Sequence, residues 1–352
     1  MIVKMHVPLA SFTSLRCGGE AEKLVVCETP AEVEAALREA VGASGGEPLW
    51  FLGYGCNVLI SDAGLPGTTV LVRGGEIRRE GDALVADAGA WWDDVVARAI
   101  SEELWGVELM SGIPGSVGGV VAGNAAAYGQ AAGDRLVWAD LLDATTGRVE
   151  RVDAAALGFG YRASKLQAED GRRLVLRAAF GLDRAGGALG YQSIIEAAER
   201  GGFDVETLAG RRAAVLATRG AAGSLWDFRD AVPASHTAGS FFRNPLVTVE
   251  QAEQVLAFDE SGRSAETLRR MNAVHGGDAR RVSASLVLLA AGFTRGQSWG
   301  AVRLNPQHVL KIENTGGATA QQIYVVAQEI MTTVKQRLDI DLEPEVRFLG
   351  EF

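Results

Sequence analysis

Two glycine-rich segments, each preceded by a short apolar run, constrain this chain more than any other feature of its sequence. The first is residues 53–57 (GYGCN), which follow the apolar residues 49–52, and the second includes residues 115–119 (GSVGG). Glycine permits positive φ and close approach of the backbone to a ligand, and successive N–H groups in such turns hold phosphate oxygens without a cation. The spacing is neither a Rossmann fingerprint nor a P-loop. A dinucleotide bound here would therefore require a different fold.

For each glycine segment alone a plain tight turn is the better explanation, and only the pair favours a cofactor site. The chain carries 34 basic and 44 acidic residues, a formal net charge of −10. Such a chain is a poor general binder of nucleic acid, because phosphate binding requires clustered Lys and Arg. Backbone N–H groups are the donors that would hold a pyrophosphate in an acidic protein. We therefore expect no nucleic-acid partner.

The order of predicted elements indicates an α+β protein of two domains, as a length of 352 residues suggests. Thr29 and Pro30 predict the start of a first helix, and Thr319 with Gln322 predicts a capping box for the last. A final strand is predicted over residues 342–348. The composition changes to Gly and Ala near residue 190 and becomes loop-like near 225, which places a domain change between them.

The cysteine count and the absence of long apolar runs indicate the compartment. Cys17, Cys27 and Cys56 are an odd number without metal-ligand spacing, and the four histidines are scattered. No run is long enough to cross a bilayer, and the first residues lack a signal-peptide core. We expect a soluble cytoplasmic protein with no metal site and no membrane association.

Three short segments carry side chains suited to chemistry. Arg162 could clamp a carboxylate with two hydrogen bonds, although a surface arginine at a strand end explains it equally well. Ser240, beside a glycine in residues 238–245, could expose its hydroxyl in a cleft, or the segment could be a buried turn. Glu343, Glu345 and Arg347 share one face of the predicted final strand, and a solvated charged face is the simpler interpretation of these three.

Taken in order, the segments resemble the UDP-N-acetylenolpyruvoylglucosamine reductase (MurB) family of bacterial wall synthesis. Any one segment is a weak signal, but five in the family's order are highly specific. The resemblance runs from Phe12 to Gly350 and is carried by residues 52–67 (LGYGCNVLISDAGLPG), 112–119 (GIPGSVGG), 161–166 (YRASKL), 238–245 (AGSFFRNP) and 342–346 (LEPEV).

The resemblance implies a fold, a cofactor and a reaction. It implies a flavin-binding α+β domain of the p-cresol methylhydroxylase and vanillyl-alcohol oxidase type over residues 1–210, in two subdomains. A smaller α+β substrate-binding domain over residues 211–352 follows, and its final strand returns a catalytic glutamate to the flavin site. FAD is expected to be noncovalent and NADPH to be the reductant. The family reduces UDP-N-acetylenolpyruvoylglucosamine to UDP-N-acetylmuramate, and we expect a monomer in the bacterial cytoplasm.

The resemblance also assigns residues by motif position. The catalytic residues it implies are Arg162, Ser240 and Glu345, with Ser240 as the proton donor and the other two stabilising an enolate. The substrate-binding residues it implies are Tyr161, Tyr191, Arg243 and Asn244. The cofactor-binding residues it implies are Gly53, Tyr54, Gly55, Cys56, Asn57, Leu59, Ile113, Pro114, Gly115, Ser116, Gly118, Gly119, Asn124 and Ala126.

Two departures from the family pattern bear on affinity. Ala126 stands where the family usually has a glycine, and it would be strained by about 1–2 kcal/mol if that position needs positive φ. Ala222 stands where a lysine usually lies near the substrate diphosphate, and we predict that Arg243 partly replaces that lysine. Two alternatives remain open at this point: another flavin oxidase on the same first domain, and a non-catalytic flavin or nucleotide-sugar binding protein.

Overall fold

The structure is a computed structural model that describes residues 1–43, 47–169, 171–229, 236–259 and 280–352. By its contacts the chain forms two compact units. The first contains residues 1–8, 20–56 and the described residues from 64 to 229, and the second contains residues 9–19, 57–63 and the described residues from 236 onward. Two short early segments, residues 9–19 and 57–63, therefore belong to the second unit together with the C-terminal part of the chain.

Short strands predominate among the elements of the described residues. The strands are β1 Ile2–Pro8, β2 Glu20–Cys27, β3 Leu49–Leu52, β4 Val58–Ile60, β5 Leu65–Val72, β6 Ile77–Glu80, β7 Ala83–Asp87, β8 Ala126–Ala127, β9 Gln130–Ala131, β10 Leu136–Asp143, β11 Val149–Asp153, β12 Arg173–Gly181, β13 Thr237–Ser240, β14 Leu246–Val247, β15 Arg280–Arg281, β16 Ser298–Trp299, β17 Val302–Leu304, β18 Lys311–Asn314 and β19 Arg347–Leu349. The α-helices are α1 Pro30–Ala43, α2 Trp92–Ser101, α3 Val117–Ala122, α4 Ala132–Arg135, α5 Lys165–Ala168, α6 Gln192–Gly201, α7 Leu208–Ala221, α8 Val249–Leu256, α9 Ala284–Ala290 and α10 Ala320–Leu338.

The first unit contains two larger sheets. One has the order β1-β2-β5-β3, in which β2 and β3 run parallel to the central β5. The other is antiparallel, with the order β11-β10-β12-β7-β6. Helices α2 and α3 pack with the second sheet around fully buried Trp92 and Phe180, whose rings meet edge to face at 5.3 Å.

The second unit is built on β18 and α10. Its main sheet has the order β13-β18-β17-β16, and a separate parallel pair joins β19 to β4. One face of α10 is buried along its whole length, from Ala320 to Leu338, against α9 and the sheet. The predicted capping box is confirmed: the N–H of Gln322 donates to the Oγ1 of Thr319, and the N–H of Thr319 donates to the Oε1 of Gln322.

Two sequence-based expectations differ from the structure. The predicted final strand over residues 342–348 is wrong for most of its length, because only β19 is a regular strand and Pro344, which lacks an N–H, makes an isolated bridge with Phe242. Helix α7 crosses the domain boundary predicted after residue 210. It belongs by its contacts to the first unit, where it packs with α6 around Ile194, Ala214 and Val215.

Candidate active site

The two glycine-rich segments approach each other in the first unit. A Cβ atom on Gly53 would lie 2.6 Å from the Oγ of Ser116, far inside van der Waals contact. That Oγ is already engaged, because it accepts the N–H of Gly119 at 3.2 Å and so caps α3. The two segments therefore meet through backbone and one short hydroxyl. This close main-chain cradle fits the pyrophosphate of a dinucleotide such as FAD.

Backbone hydrogen bonds fix the second segment against residues 88–92. The N–H of Trp92 donates to the carbonyl of Gly115 at 2.9 Å, and the N–H of Gly118 donates to that of Ala88 at 2.8 Å. Gly115 has φ of +136°, which L side chains rarely adopt. The shape of this loop is thus set by the protein itself. The predicted cofactor residues Ile113, Pro114, Gly115 and Ser116 lie in the loop before α3, and Gly118 and Gly119 lie in its first turn.

The side chain of Tyr54 supports the first segment from within. Only 4% of Tyr54 is exposed, and its hydroxyl donates to the carbonyl of Gly89 at 3.2 Å. Its ring lies 4.5 Å from that of Phe228, centre to centre. Arg73 Nε donates to the carbonyl of Gly53 at 3.1 Å, which holds the start of the segment. Tyr54 therefore stabilises the first segment through contacts in the protein interior.

The two residues after Tyr54 complete the segment within the first unit. Gly55 has φ of +65°, so the chain turns there in the left-handed region. Burial raises the pKa of the Cys56 thiol, which stays protonated at neutral pH. A protonated thiol is a poor nucleophile.

Asn57 and Leu59, two further predicted cofactor residues, belong to the second unit. The Nδ2 of Asn57 donates to the main-chain carbonyl of Glu345 at 3.0 Å. Leu59 is fully buried in β4 within the core of that unit. Contact of either residue with a cofactor stays a prediction.

Tyr161 and Arg162 form the tip of a two-residue turn. Gly160 and Ala163 pair across it. The N–H of Gly160 donates to the carbonyl of Ala163 with an N-to-O distance of 3.0 Å, and the N–H of Ala163 donates to that of Gly160 at 3.3 Å. Arg162 has φ of +50°, a left-handed conformation that costs a residue with a Cβ about 1–2 kcal/mol. Strain of this kind persists only where the surroundings impose it, and it is concentrated at active sites.

Hydrogen bonds from two buried side chains, those of Asn124 and Ser164, hold this strained turn in place. The Nδ2 of Asn124, which is 8% exposed, donates to the carbonyl of Gly160 at 2.8 Å, and its Oδ1 accepts the N–H of Gly133 at 2.9 Å. The Oγ of Ser164 donates to the carbonyl of Ala122, at the end of α3, at 2.6 Å. The turn is therefore joined to α3, the helix that begins within the second glycine-rich segment.

The strain considered for Ala126 is absent. Ala126 lies in β8 and does not have positive φ; the left-handed residues nearby are Asn124, at +42°, and Tyr128, at +48°. The condition for a backbone penalty at Ala126 is therefore not met, because the chain makes its left-handed turns on either side of it.

Arg219 of α7 lies in the same region, and the sequence analysis did not single it out. Its Nε donates to the carbonyl of Gly112 at 3.1 Å, and its side chain is hydrogen bonded to Tyr128. Desolvation lowers the pKa of Arg219, and the nearby positive charge of Arg162 lowers it further. The rings of Tyr128 and Tyr191 meet edge to face at 5.4 Å. Two cations and two tyrosines therefore lie in one region, and the carboxylate of Asp93 is also close to Arg219.

A helical spacing could have revealed Arg219. It precedes Ala222, the position where the family's lysine is missing, by three residues. Residues three apart on a helix lie on the same face. The sequence signal that could have identified Arg219 is therefore a basic residue one helical turn before the position of the expected lysine.

In the second unit, Ser240 and Glu345 lie on neighbouring stretches of backbone. Ser240 ends β13 opposite Lys311, and the next residue, Phe241, donates its N–H to the carbonyl of Leu310 at 2.9 Å. The carbonyl of Phe241 accepts the N–H of Glu345 at 2.8 Å. Ser240 and Glu345 are both partly exposed. The predicted proton donor and the predicted glutamate are thus joined through one fully buried phenylalanine.

Arg243 and Asn244 continue the same stretch. The N–H of Arg243 donates to the carbonyl of Glu343 at 2.9 Å. The Oδ1 of Asn244 accepts the N–H of Ala284 at 2.9 Å, and its carbonyl accepts from Arg281 at 2.7 Å. Asn244 therefore satisfies a donor at the start of α9. The predicted substrate contacts of both residues stay predictions.

The described residues contain no group of three His, Cys, Asp or Glu arranged to hold a metal ion. None of the helices in that part of the chain combines the length and hydrophobicity that a bilayer crossing needs. Burial raises the pKa of the Cys17 thiol to about 12 and that of Cys27 to about 11. These two thiols are therefore protonated at neutral pH.

Known proteins match this chain along its whole length. Residues 232–349 match the family model for the C-terminal domain of UDP-N-acetylenolpyruvoylglucosamine reductase, and residues 21–153 match an FAD binding domain. The reductase of Mycobacterium marinum is 37% identical, with 99% of this chain and 95% of the relative covered. That of Streptomyces coelicolor is 34% identical, with 99% and 91% covered. The chain belongs to the UDP-N-acetylenolpyruvoylglucosamine reductase family.

The fold agrees with this family. The crystal structure of the Thermus caldophilus reductase matches with a TM-score of 0.62 over 99% of this chain and 98% of that one, at 23% identity. The expected α+β fold, a flavin-binding domain followed by a second α+β domain, is confirmed. Both glycine-rich segments lie inside the residues matched to the FAD binding domain. As a member of this reductase family the chain is a flavin-dependent oxidoreductase whose cofactor is FAD.

Proposed function

We propose that this chain uses NADPH and FAD to reduce UDP-N-acetylenolpyruvoylglucosamine to UDP-N-acetylmuramate, a step of peptidoglycan precursor synthesis. The observation that carries the proposal is the strained, clamped turn of Arg162, beside the glycine segments that fit FAD. Support also comes from relatives at 34–37% identity that bear the reductase name over nearly their whole length. The acidic charge supports the absence of a nucleic-acid partner. We further propose a monomer working in the bacterial cytoplasm.

Arg162 meets the charge that the reaction creates on the substrate. When bound, FAD supplies to the terminal alkene carbon a hydride that originates from NADPH. Negative charge then develops at the adjacent carbon and spreads into the substrate carboxylate. The guanidinium of Arg162, whose backbone is fixed by its turn, stabilises that charge. The strained left-handed backbone at Arg162 thus keeps this residue in place before the substrate binds.

Ser240 donates the proton that completes the reduction. A serine hydroxyl is a weak acid in water, but a carbanion-like carbon is a strong base, so a positioned hydroxyl suffices. One hydride and one proton add across the double bond, and solvent returns a proton to the serine oxygen. Glu345, whose N–H is bound to the carbonyl of Phe241, acts as an acid or a charge stabiliser near the enolate.

The UDP part of the substrate is held by residues away from the reacting carbons. Tyr161, Tyr191, Arg243 and Asn244 are the proposed contacts, with Tyr191 and Asn244 at the diphosphate. The Arg219 cation supports an anion site in the first unit, because it lies with Arg162 and two tyrosines in one region. No lysine is needed for a positive potential there.

Steady-state oxidation of NADPH tests the proposed function. The rate should be low with NADPH alone and should rise strongly when the enolpyruvyl substrate is added. UDP-N-acetylglucosamine, which lacks the enolpyruvyl group, is the matched control and should not raise it. NADPH oxidation that depends on oxygen and ignores the substrate would indicate a flavin oxidase. Tight FAD binding without NADPH oxidation under any condition would indicate a binding protein.

A further inference from the structure

A buried ion pair, Glu108 with Arg211, lies in the first unit outside the groups given a chemical role above. The Nη1 of Arg211 is 3.2 Å from the Oε1 of Glu108, and the two residues are 5% and 2% exposed. Removing two charges from water is costly, and their attraction repays this only with good geometry and further hydrogen bonds. Such a pair is weak evidence for stability. It is better explained by a need for one defined arrangement.

Arg211 uses its remaining donors on two main-chain carbonyls. Its Nε donates to the carbonyl of Val205 at 2.7 Å, and its Nη2 donates to that of Gly187 at 2.7 Å. The guanidinium carbon lies 4.9 Å from the ring centre of Trp105. A planar guanidinium can satisfy Glu108 and two carbonyls together, whereas a lysine ammonium lacks this forked geometry. Arg211 thereby ties α7 to the chain segment that precedes α6.

Glu108 connects the same arginine to the region of the cofactor. It begins the 3-10 helix Glu108–Met110, and its Oε2 accepts the N–H of Gly106 at 2.8 Å. The Oγ of Ser111 donates to the main-chain carbonyl of Glu108 at 2.6 Å. Gly112, the next residue, begins residues 112–119 (GIPGSVGG), which contain the second glycine-rich segment. The carboxylate is therefore fixed within the element that leads into this motif.

The segment held by Arg211 ends at Tyr191. Residues 185–190 (AGGALG) contain three glycines, so the free chain would sample many conformations. Gly186 packs so closely on Trp105 that a Cβ would lie 2.4 Å from its ring. Tyr191 itself is 39% exposed, and the ring contact recorded for it is with Tyr128. The main-chain carbonyl of Tyr191 also accepts the N–H groups of Ile194 and Ile195 at 3.0 and 3.1 Å. The placement of Tyr191 therefore depends on the start of α6 together with the anchor at residues 186–187.

We infer that the Glu108–Arg211 pair is a positioning device that holds Tyr191 ready for the diphosphate of the substrate. The inference rests on the proposed function, in which Tyr191 contacts that group. Arg211 and Glu108 touch neither substrate nor cofactor; they act through residues 186–187. Glu108 lies in the 3-10 helix that precedes the second glycine-rich segment. The pair therefore also fixes the position of Tyr191 relative to that segment.

Kinetics of the FAD-loaded enzyme and its variants test the inference. Glu108→Gln and Arg211→Met should raise KM for the UDP substrate about 10- to 100-fold, since a displacement of about 1 Å can have an effect of this size. The limiting rate of flavin reduction at saturating NADPH should stay within about twofold of wild type. Arg211→Lys, which keeps the charge without the fork, should give an intermediate KM. Arg200→Ala, at a side chain 72% exposed on α6, is the matched control and should change neither value.

A double-mutant cycle shows whether the pair acts through Tyr191. Tyr191→Phe should itself raise KM, and Glu108→Gln added to it should raise KM by less than about threefold more, because residues that act as a unit are not additive. Additive effects would overturn the inference. An unchanged KM in Glu108→Gln, which is nearly isosteric, would also overturn the inference. A combined loss of FAD binding, kcat and substrate affinity would overturn it too, because it would indicate a general structural role. A wild type that fails to turn over the UDP substrate overturns the proposed function, and this inference with it.

Discussion

The side-chain amide of Asn57 donates to the main-chain carbonyl of Glu345 at 3.0 Å, across 288 residues of sequence. A second bond completes the pairing, from the N–H of Arg347 to the carbonyl of Asn57 at 3.0 Å. Asn57 closes the motif GYGCN, which sequence reasoning assigned to the cofactor. In the structure the same residue fixes the backbone that carries the proposed catalytic glutamate.

Asn57→Ala should slow reduction of the UDP substrate. It removes one hydrogen bond, worth about 0.5–1.5 kcal/mol, so the second half-reaction should slow by roughly two- to tenfold while the fold persists. Stopped-flow absorbance of the flavin measures each half-reaction separately. Asn57→Asp is the control, because a carboxylate cannot donate and should behave like alanine. An Asn57→Asp variant with full activity would show that the donated bond has no part in placing Glu345.

Ser240→Ala should separate the two half-reactions. Flavin reduction by NADPH needs no proton from Ser240 and should proceed close to the wild-type rate. Reoxidation by the enolpyruvyl substrate should slow by about 10²–10⁴, the usual loss for a general acid. Glu345→Gln should also slow reoxidation selectively, and Ser240→Cys should retain more activity than Ser240→Ala. Slowed flavin reduction with normal reoxidation in Ser240→Ala would assign the serine to the nicotinamide step instead.

Two arginines are candidates to replace the missing lysine at Ala222. Arg243→Ala is expected to raise KM for the UDP substrate and leave that for NADPH nearly unchanged, since a charge-assisted hydrogen bond contributes roughly 1.5–3 kcal/mol. Arg219→Ala should also raise KM for the substrate, and Arg219→Lys, which keeps the charge, should restore part of the affinity. Ala222→Lys should tighten binding. An effect confined to Arg219 would remove Arg243 from this role.

FAD should be fully released by acid, and Gly53→Ala should weaken its binding. Purified protein should be yellow, with no flavin left on the precipitate. An alanine Cβ at position 53 must displace the Oγ of Ser116 from the cap of α3, which disturbs both glycine-rich segments at once. Gly220→Ala, whose Cβ would meet Leu225 at an ordinary 3.5 Å, is the control and should retain FAD. Equal FAD affinity in the two variants would contradict the assignment of this cradle.

The free energy of unfolding should fall as the pH falls from about 6.5 to about 4. Burial, with smaller contributions from the charges of Lys311 and Arg295, lowers the pKa of His308 to about 4. Because the unfolded chain takes up a proton near pH 6.5 and the folded chain does so only near 4, stability from this group is present above 6.5 and is lost between these values. The loss should reach roughly 3 kcal/mol.

His308→Asn is the matched variant for this measurement. The Nδ1 of His308 accepts the N–H of Leu310 at 3.3 Å, and an asparagine oxygen can take its place without titrating. Urea unfolding at several pH values should show a smaller decrease in the variant between pH 6.5 and 4. Parallel curves for the two proteins would mean that His308 titrates alike in the folded and unfolded chains.

Local sequence signals were sufficient where an element's ends depend on neighbouring residues. The start of α10 follows from Thr319 and Gln322, which are three residues apart and bond each other. The start of α1 follows from Pro30 and from Thr29, whose Oγ1 accepts the N–H of Glu32 at 3.3 Å. The final strand could not be predicted from its alternation of side chains. Whether residues 342–346 form a ladder depends on the distant segment that they meet, and Pro344 leaves only an isolated bridge there.

The motifs and their order by themselves determined the family, the flavin fold and the names of most candidate residues. Only the tertiary structure decided how those residues are held. It strains Arg162 rather than Ala126, brings Arg219 to Tyr128, and joins Glu108 to Arg211 across 103 residues. The reason is physical: a buried charge or a left-handed backbone is stable only when distant groups compensate it, and no local pattern specifies which groups those are.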